Sequence, residues 1–329
     1  MRSGIERRGL LGLGLALGVA PAGAGQPHAP AAAQTADPKE ILHLWADRPP
    51  GAPATLPHEI LTDRTPQSGF LDRFVTGTGD PTLTVFRPAR PNGTAMLVAP
   101  GGSYIRVVVD KEGFEVARRL AAAGVTAFVL HYRLPGDGWT PRADAALQDA
   151  QRAMRLIRAR AADYGIDPKR VGAIGFSAGG HLTASLATGF DRAIYAPMDA
   201  VDRLSARPDF VGLGYPVMDL SAPLWHRGSA DALLGPEATA ETRAAYSPQR
   251  HVTAATPACF TFHAADDATV PVENSLAWFA ALKAAKVPAE LHVFEEGGHG
   301  FGIWLARGKP AAAWPDLFLA WAGRHGFLG

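Results

Sequence analysis

Apolar residues recur along this chain in two rhythms. Residues 82–88 ("TLTVFRP") alternate apolar and polar positions, as a strand with one wet face does. Residues 94–100 ("TAMLVAP") and 125–133 ("VTAFVLHYR") are nearly unbroken apolar runs, the pattern of strands covered on both faces. Runs at 170–176, 210–217, 258–264 and 290–296 continue the series. Between them the period lengthens. Leu147, Ala150, Met154, Ile157, Ala161 and Tyr164 step by three and four and so share one helical face, with Arg152, Arg155 and Arg158 predicted to face away. Gly165 and then Asp167-Pro168 end that helix. Further helices are predicted over 112–124, closed by Gly124, and over 273–285 and 314–325.

Strand, helix, strand, helix means parallel strands, right-handed crossovers and helices on both faces of one sheet, the α/β class. No repeat or second core interrupts the pattern. The one long break, 219–256, reads as loop plus short helices that shape a rim. Binding groups in such sheets collect at the carboxyl ends of the strands. The loops that matter therefore follow Ala99, Phe176, Val217, Ala264 and Glu296.

Charge narrows the partners. Lysine plus arginine number 32 against 31 aspartates and glutamates, so no basic excess favours nucleic acid. A single cysteine, Cys259, excludes an internal disulfide and a zinc site built on thiols, and its apolar surroundings predict a buried structural thiol. No H-E-x-x-H is present. The amino terminus reads as an export signal over 1–25. Arg2, Arg7 and Arg8 precede an apolar stretch, 9–20, too short to span a bilayer, and "AGA" at 22–24 offers small residues for cleavage. The adjacent Arg7-Arg8 resembles a twin-arginine signal, a route that carries folded chains. Residues 26–39 read as a disordered tether rich in proline and alanine, and 40–329 as the folded domain. The expected location is periplasmic or secreted.

The chemistry centres on "RVGAIGFSAGGH", 170–181. An apolar strand stops at Ser177, which has Gly175 two places before it and Gly179 two places after. Turning from strand to helix in so few residues forces a strained backbone at the middle residue, tolerable only where its flanking positions lack side chains. The serine hydroxyl then stands at the apex of the turn, beside a helix amino terminus whose free N–H groups include that of Ala178. A serine hydroxyl needs a base, and the base an orienting acid. "EEGGHGFG" supplies His299 after the last strand, and "HAADDATVPVENS" supplies Asp266 and Asp267 after the one before it. Spacing leaves both aspartates open. The glycine turn "APGGSY", 99–104, offers the N–H groups of Gly102 and Ser103 as a second source of anion-stabilising donors. His181, just past the serine, is expected to pack on the sheet.

Together, "PGGSY", "DKEGFEVARRLAAAGVTAFVLHYRLP", "GFSAGGHL", "GSADALLG", "YSPQRHV", "HAADDATVPVENS" and "GGHGFG" resemble the α/β-hydrolase superfamily, and within it esterases of the acetylxylan esterase and feruloyl esterase type, some xylanase-associated. The resemblance spans roughly 40–327. It implies an α/β-hydrolase fold with a mostly parallel sheet of about eight strands and a small cap or none. It also implies a Ser177–His299–Asp267 triad, since the family's H-x-x-x-D-x-x-V-P pattern starts here at His263. Two positions depart from it: Pro100 stands where many relatives have histidine, and Ser103 where they have glycine. The implied activity is hydrolysis of acyl esters, acetyl above all, on plant polysaccharide or oligosaccharide such as xylan, through an acyl-enzyme and without metal or organic cofactor. Tyr104, Trp225 and Trp304, with Trp139 and Phe301, are candidates to stack on sugar rings. The competing readings are an exopeptidase on the same scaffold, for which the chain lacks room for the usual additional domain, and a non-catalytic carbohydrate-binding relative.

Overall fold

The computed structural model describes Met1 and residues 36–329. The expected export signal and most of the tether lie outside the described residues. The folded unit begins at Asp37, slightly ahead of the expected boundary. Its carboxylate pairs with Arg73 at 2.7 Å and Arg118 at 2.8 Å.

In chain order the first elements are β1 (Ile41–His43), β2 (Ile60–Asp63), α1 (Thr65–Ser68), β3 (Arg73–Thr76), β4 (Thr82–Phe86), β5 (Ala95–Ala99), α2 (Glu115–Ala122) and β6 (Thr126–His131). There follow α3 (Ala145–Ala159), β7 (Val171–Phe176), α4 (Ser177–Gly189), β8 (Phe210–Gly214), α5 (Arg227–Leu234), α6 (Ala240–Ala245), β9 (Ala258–Ala264), α7 (Glu273–Ala284), β10 (Ala289–Phe294) and α8 (Trp314–Arg324). The main sheet has eight strands in the order β1-β4-β6-β5-β7-β8-β9-β10. β1 and β4 run antiparallel to their neighbours. From β6 to β10 every pairing is parallel. This is the mostly parallel α/β sheet anticipated from the alternation of runs, in the α/β-hydrolase arrangement that the resemblance implies. β5, β7 and β8 are buried along their whole length, as their unbroken apolar sequences require.

The chain passes from β5 to β6 on one side and then returns to lay β7 on the other. The carboxyl ends of β5 and β7 therefore flank the crevice where the winding reverses. Their register sets Ala99 beside Gly175, and that of β9 and β10 sets Ala264 beside Phe294. Four loops that carry candidate side chains thus emerge along one edge. Beneath them lies an aromatic core in which Phe262 stacks on Trp314 at 4.4 Å between centroids.

Three features differ from the expectation. The helix expected over 112–124 starts as a π turn, 110–114, and becomes α-helical only at Glu115. The arginine face of α3 is not solvated. Arg152 is buried and paired with Asp199 and Asp202, and Arg158 with Asp209, because residues 195–209 fold back over it. The charges that look outward in a helical projection meet carboxylates far along the chain. Third, β2 and β3 form a small separate sheet that periodicity did not reveal. An antiparallel bridge from Val75 in β3 to Val107 fastens this sheet to the loop that follows β5. Among the described residues no helix is long and apolar enough to cross a membrane. Cys259 is buried, as expected, and burial pushes its thiol up to about 11.

The sheet is tied to α3 by a fully buried ion pair. Arg133, just past β6, meets Asp149 at 2.8 Å, and both side chains are 0% exposed. The Asp149 carboxylate also accepts from Trp45 Nε1 at 2.9 Å, and the guanidinium donates to the carbonyls of Pro50 and Ala145. Removing one partner strands the other charge in the interior. Asp149→Ala is therefore expected to destabilise the fold by about 3–5 kcal/mol, read as a lowered midpoint in urea denaturation at pH 7.

Candidate active site

The turn at the end of β7 is built by the absence of side chains. Ser177 adopts φ +53°, a conformation costly for any residue with a Cβ. A methyl group on Gly175 would lie 2.1 Å from the Gly179 carbonyl oxygen. One on Gly179 would lie 2.2 Å from the Ala99 oxygen and 2.4 Å from that of Pro100. The opening turn of α4 thus rides directly on the end of β5.

Ser177 is 7% exposed, and its Oγ lies 2.9 Å from His299 Nε2. On the other side of the ring, Nδ1 lies 2.7 Å from Asp267 Oδ2. An ionised carboxylate only accepts, so the proton sits on Nδ1 and leaves Nε2 free to accept from the serine hydroxyl. Asp267 Oδ2 also accepts from His263 Nε2 at 3.0 Å. Oδ1 takes the N–H groups of Thr269 at 2.8 Å and Val270 at 2.9 Å. His263 must donate from Nε2, because that nitrogen faces two acceptors, Asp267 and the Val270 carbonyl; its Nδ1 then accepts from the Ser275 hydroxyl at 2.8 Å. Burial works against charge on Asp267, but the hydrogen bonds from His263 and His299 outweigh it and hold its pKa well below the usual carboxylate range. Asp266 points elsewhere. Its Oδ1 accepts from the Gly297 and Gly298 N–H groups at 2.9 and 2.8 Å, pinning the loop that carries His299. The adjacent aspartates left open by spacing thus divide between orienting the ring and holding its loop.

The glycine turn after β5 bends sharply, with positive φ at Gly102 (131°), Ser103 (58°) and Tyr104 (61°). The Gly101 N–H is bound by Glu112 Oε2 at 2.9 Å. Among the described residues nothing accepts from the N–H groups of Gly102 and Ser103. The strain is sustained by what the turn grips. Tyr104 O–H donates to His181 Nδ1 at 2.8 Å, and His181 Nε2–H donates to the Tyr246 carbonyl at 2.8 Å. His181, buried on α4, thereby clamps the turn to α4 and to the Tyr246 carbonyl. Chemically, the ensemble offers a hydroxyl with an imidazole in contact, a carboxylate held in its ionised form, and backbone donors on adjoining turns.

With this geometry in view, comparison with known proteins is decisive. The sequence profile of the BD-FAE family matches residues 85–282. The chain belongs to this α/β-hydrolase family. The match includes Ser177 and Asp267 and ends before His299. A protein named endo-1,4-beta-xylanase B from Butyrivibrio fibrisolvens is 36% identical over 69% of this chain and 34% of its own length. An acetylxylan esterase from Xylanibacter ruminicola is 32% identical over 68% of this chain and 44% of its own. The chain thus spans less than half the length of either relative. Among solved structures, an acetyl ester-xyloside bifunctional hydrolase from Caldicellulosiruptor lactoaceticus superimposes with a TM-score of 0.71 at 34% identity, covering 90% of this chain and all of that one.

The aromatic candidates for sugar contact fare differently in this family member. Tyr104 is 2% exposed with its hydroxyl committed to His181, so it has no free face and its expected role as a sugar platform is withdrawn. Trp139 and Phe301 are likewise buried. Trp225 and Trp304 are half-buried, and each ring is engaged by the protein: Arg243 lies 4.7 Å from the Trp225 centroid, and Arg307 lies 3.7 Å from that of Trp304, which also stacks on Phe70. Sequence reasoning missed Glu112, Tyr215 and His226. Glu112 and Tyr215 sit inside predicted elements, where nothing marks a polar side chain as buried. His226 caps α5, its ring accepting from Ser229 N–H. Burial, with a smaller contribution from His299, pushes its pKa down.

Two measurements test this description. Gly179→Ala drives a methyl into the backbone of β5 and is expected to cost about 3 kcal/mol or more, or to prevent folding, read by urea denaturation and soluble yield. His181 is the second. Burial pushes its pKa down to about 4, against the hydrogen bond to Tyr246. The unfolded chain binds the proton more readily, so stability is full above pH 6.5 or so, falls as the pH drops from there towards 4, and levels off below. Between pH 7 and 5 this amounts to about 2 kcal/mol. His181→Gln, which preserves an acceptor and a donor, is expected to lose that much less stability over the same interval.

Proposed function

We propose that this protein is a serine carboxylic ester hydrolase that removes acyl groups, acetyl foremost, from plant polysaccharide or oligosaccharide such as xylan. The observation that carries the reading is the unbroken hydrogen-bond chain from Asp267 through His299 to a hydroxyl held at positive φ. The acetyl and xylan part is supported by the names of the two curated relatives and of the structural neighbour. Export, inferred from residues 1–25, supports a substrate met outside the cytoplasm.

In the proposed mechanism Ser177 Oγ attacks the ester carbonyl carbon as His299 Nε2 takes its proton. Asp267 holds the imidazole in place and stabilises its charged form. The negative charge formed on the carbonyl oxygen is met by the N–H groups of Ala178, Gly102 and Ser103. Collapse breaks the bond to the alkoxy oxygen, which leaves with the proton from His299, and the acyl group stays on Ser177. Water then repeats the attack, giving up its proton to His299 and returning it to Ser177 as the carboxylic acid departs.

Acetate release from acetylated xylan and turnover of p-nitrophenyl acetate test the reading together. Wild type is expected to turn over both. Ser177→Ala is expected to reduce kcat by about 10⁴-fold or more, and Asp267→Asn by about 10³–10⁴-fold through the wrong imidazole tautomer. An organophosphate should label Ser177 in wild type alone. Turnover of the small ester without acetate release from xylan removes the substrate; an active Ser177→Ala variant removes the mechanism.

A further inference from the structure

We propose that Glu112 and Tyr215 are positioning residues that hold the anion-stabilising turn and the His299 loop at a fixed separation; the proposal rests on the ester-hydrolase reading above. Glu112 lies on the π turn ahead of α2, a rare backbone form that recurs near functional sites. Its side chain is turned inward, and the residue is 2% exposed. Oε2 accepts from the Gly101 N–H at 2.9 Å, and Oε1 accepts from the Tyr215 hydroxyl at 2.9 Å. The Tyr215 oxygen in turn accepts from the Gly302 N–H at 3.0 Å. One carboxylate and one phenol thereby join the loops after β5, β8 and β10. Each donor in the chain has a single acceptor, and each buried acceptor atom is used, so the bridge has one satisfied arrangement.

The surroundings fit a device set for distance. A methyl on Gly101 would lie 2.6 Å from Glu112 Oε2 and 2.9 Å from the Ser177 Cβ, so the carboxylate and the serine press on the same glycine. A methyl on Gly302 would lie 2.4 Å from the Lys111 carbonyl oxygen, so the π turn also abuts the His299 loop. Trp314 Nε1 holds the Gly302 carbonyl at 2.8 Å. The Tyr215 ring stands edge-on to His299, centroids 5.2 Å apart, and to Phe301 at 4.6 Å. Tyr215 itself is strained, at φ 36° directly after β8. Neither Glu112 nor Tyr215 touches the Ser177 Oγ. Their influence runs through Gly101, which precedes the two free N–H donors, and through the loop that carries the base. Those donors meet full negative charge only in the transition state, so slack in the bridge costs kcat and leaves substrate binding nearly intact.

The test uses the full chain, p-nitrophenyl acetate kinetics and the affinity of an aryl trifluoromethyl ketone, which forms a charged adduct with the serine. Tyr215→Phe deletes one oxygen and no packing; Glu112→Gln keeps the shape but puts a donor where an acceptor is required. Each is expected to lower kcat by about tenfold to a hundredfold, a fraction of what loss of an anion-binding donor costs, with KM within about twofold. Ketone affinity should fall by the same factor as kcat, and the folded far-ultraviolet spectrum should be kept. Ser177→Ala runs alongside. Should wild type be active and Ser177→Ala inert while a folded Tyr215→Phe or Glu112→Gln keeps wild-type kcat and ketone affinity, the bridge is structural only and the proposal is overturned. An equal loss in KM and kcat overturns it too. An inactive wild type, or an active Ser177→Ala, overturns the hydrolase reading and this proposal with it.

Discussion

The carbonyl oxygens of Ala99 and Pro100 lie where a side chain at residue 179 would have to be. That close approach of the α4 opening turn to the end of β5 is the constraint on which the site depends. It fixes the left-handed conformation of Ser177, because a wider turn would lift α4 off the strand. It also places the first N–H groups of α4 alongside the glycine turn that leaves β5, so two sets of donors converge without any side chain to carry them. The register between β5 and β7 makes this possible, and that register is set by two apolar strands buried on both faces.

Much of this was legible in the sequence, and the reason is physical. Strands covered on both faces must be continuously apolar, and such runs mark the middle of the sheet, β5 to β8. A turn with no space at two positions must show glycine there, and Gly175 and Gly179 do. What the sequence hid was pairing at a distance. Arg152 and Arg158 read as a solvated face because their carboxylate partners lie on residues 199–209, which no local period connects to α3. β1, β2 and β3 are too short to carry a period and exist by virtue of their neighbours. Spacing alone left Asp266 and Asp267 open and only the family pattern pointed to Asp267; in the fold that carboxylate meets the imidazole, and Asp266 meets the Gly297 and Gly298 N–H groups.

The aromatic residues show the opposite error. Large rings near strand ends are drawn by the same hydrophobic force whether they serve a substrate or the interior. Tyr104, Trp139 and Phe301 went inside. Tyr104 is more telling than a packed ring, since its hydroxyl reaches His181 across the strained turn and so turns a core residue into a clamp on the donors.

The sharing of Asp267 Oδ2 between two imidazoles has a consequence for where charge rests. His263 Nε2 faces two acceptors, the Asp267 carboxylate and the Val270 carbonyl, so that nitrogen donates. With two backbone N–H groups on the other oxygen, the carboxylate is a poor proton acceptor even when a positively charged ring forms 2.7 Å away. In the proposed mechanism the proton therefore stays on His299, from which it passes to the departing alcohol.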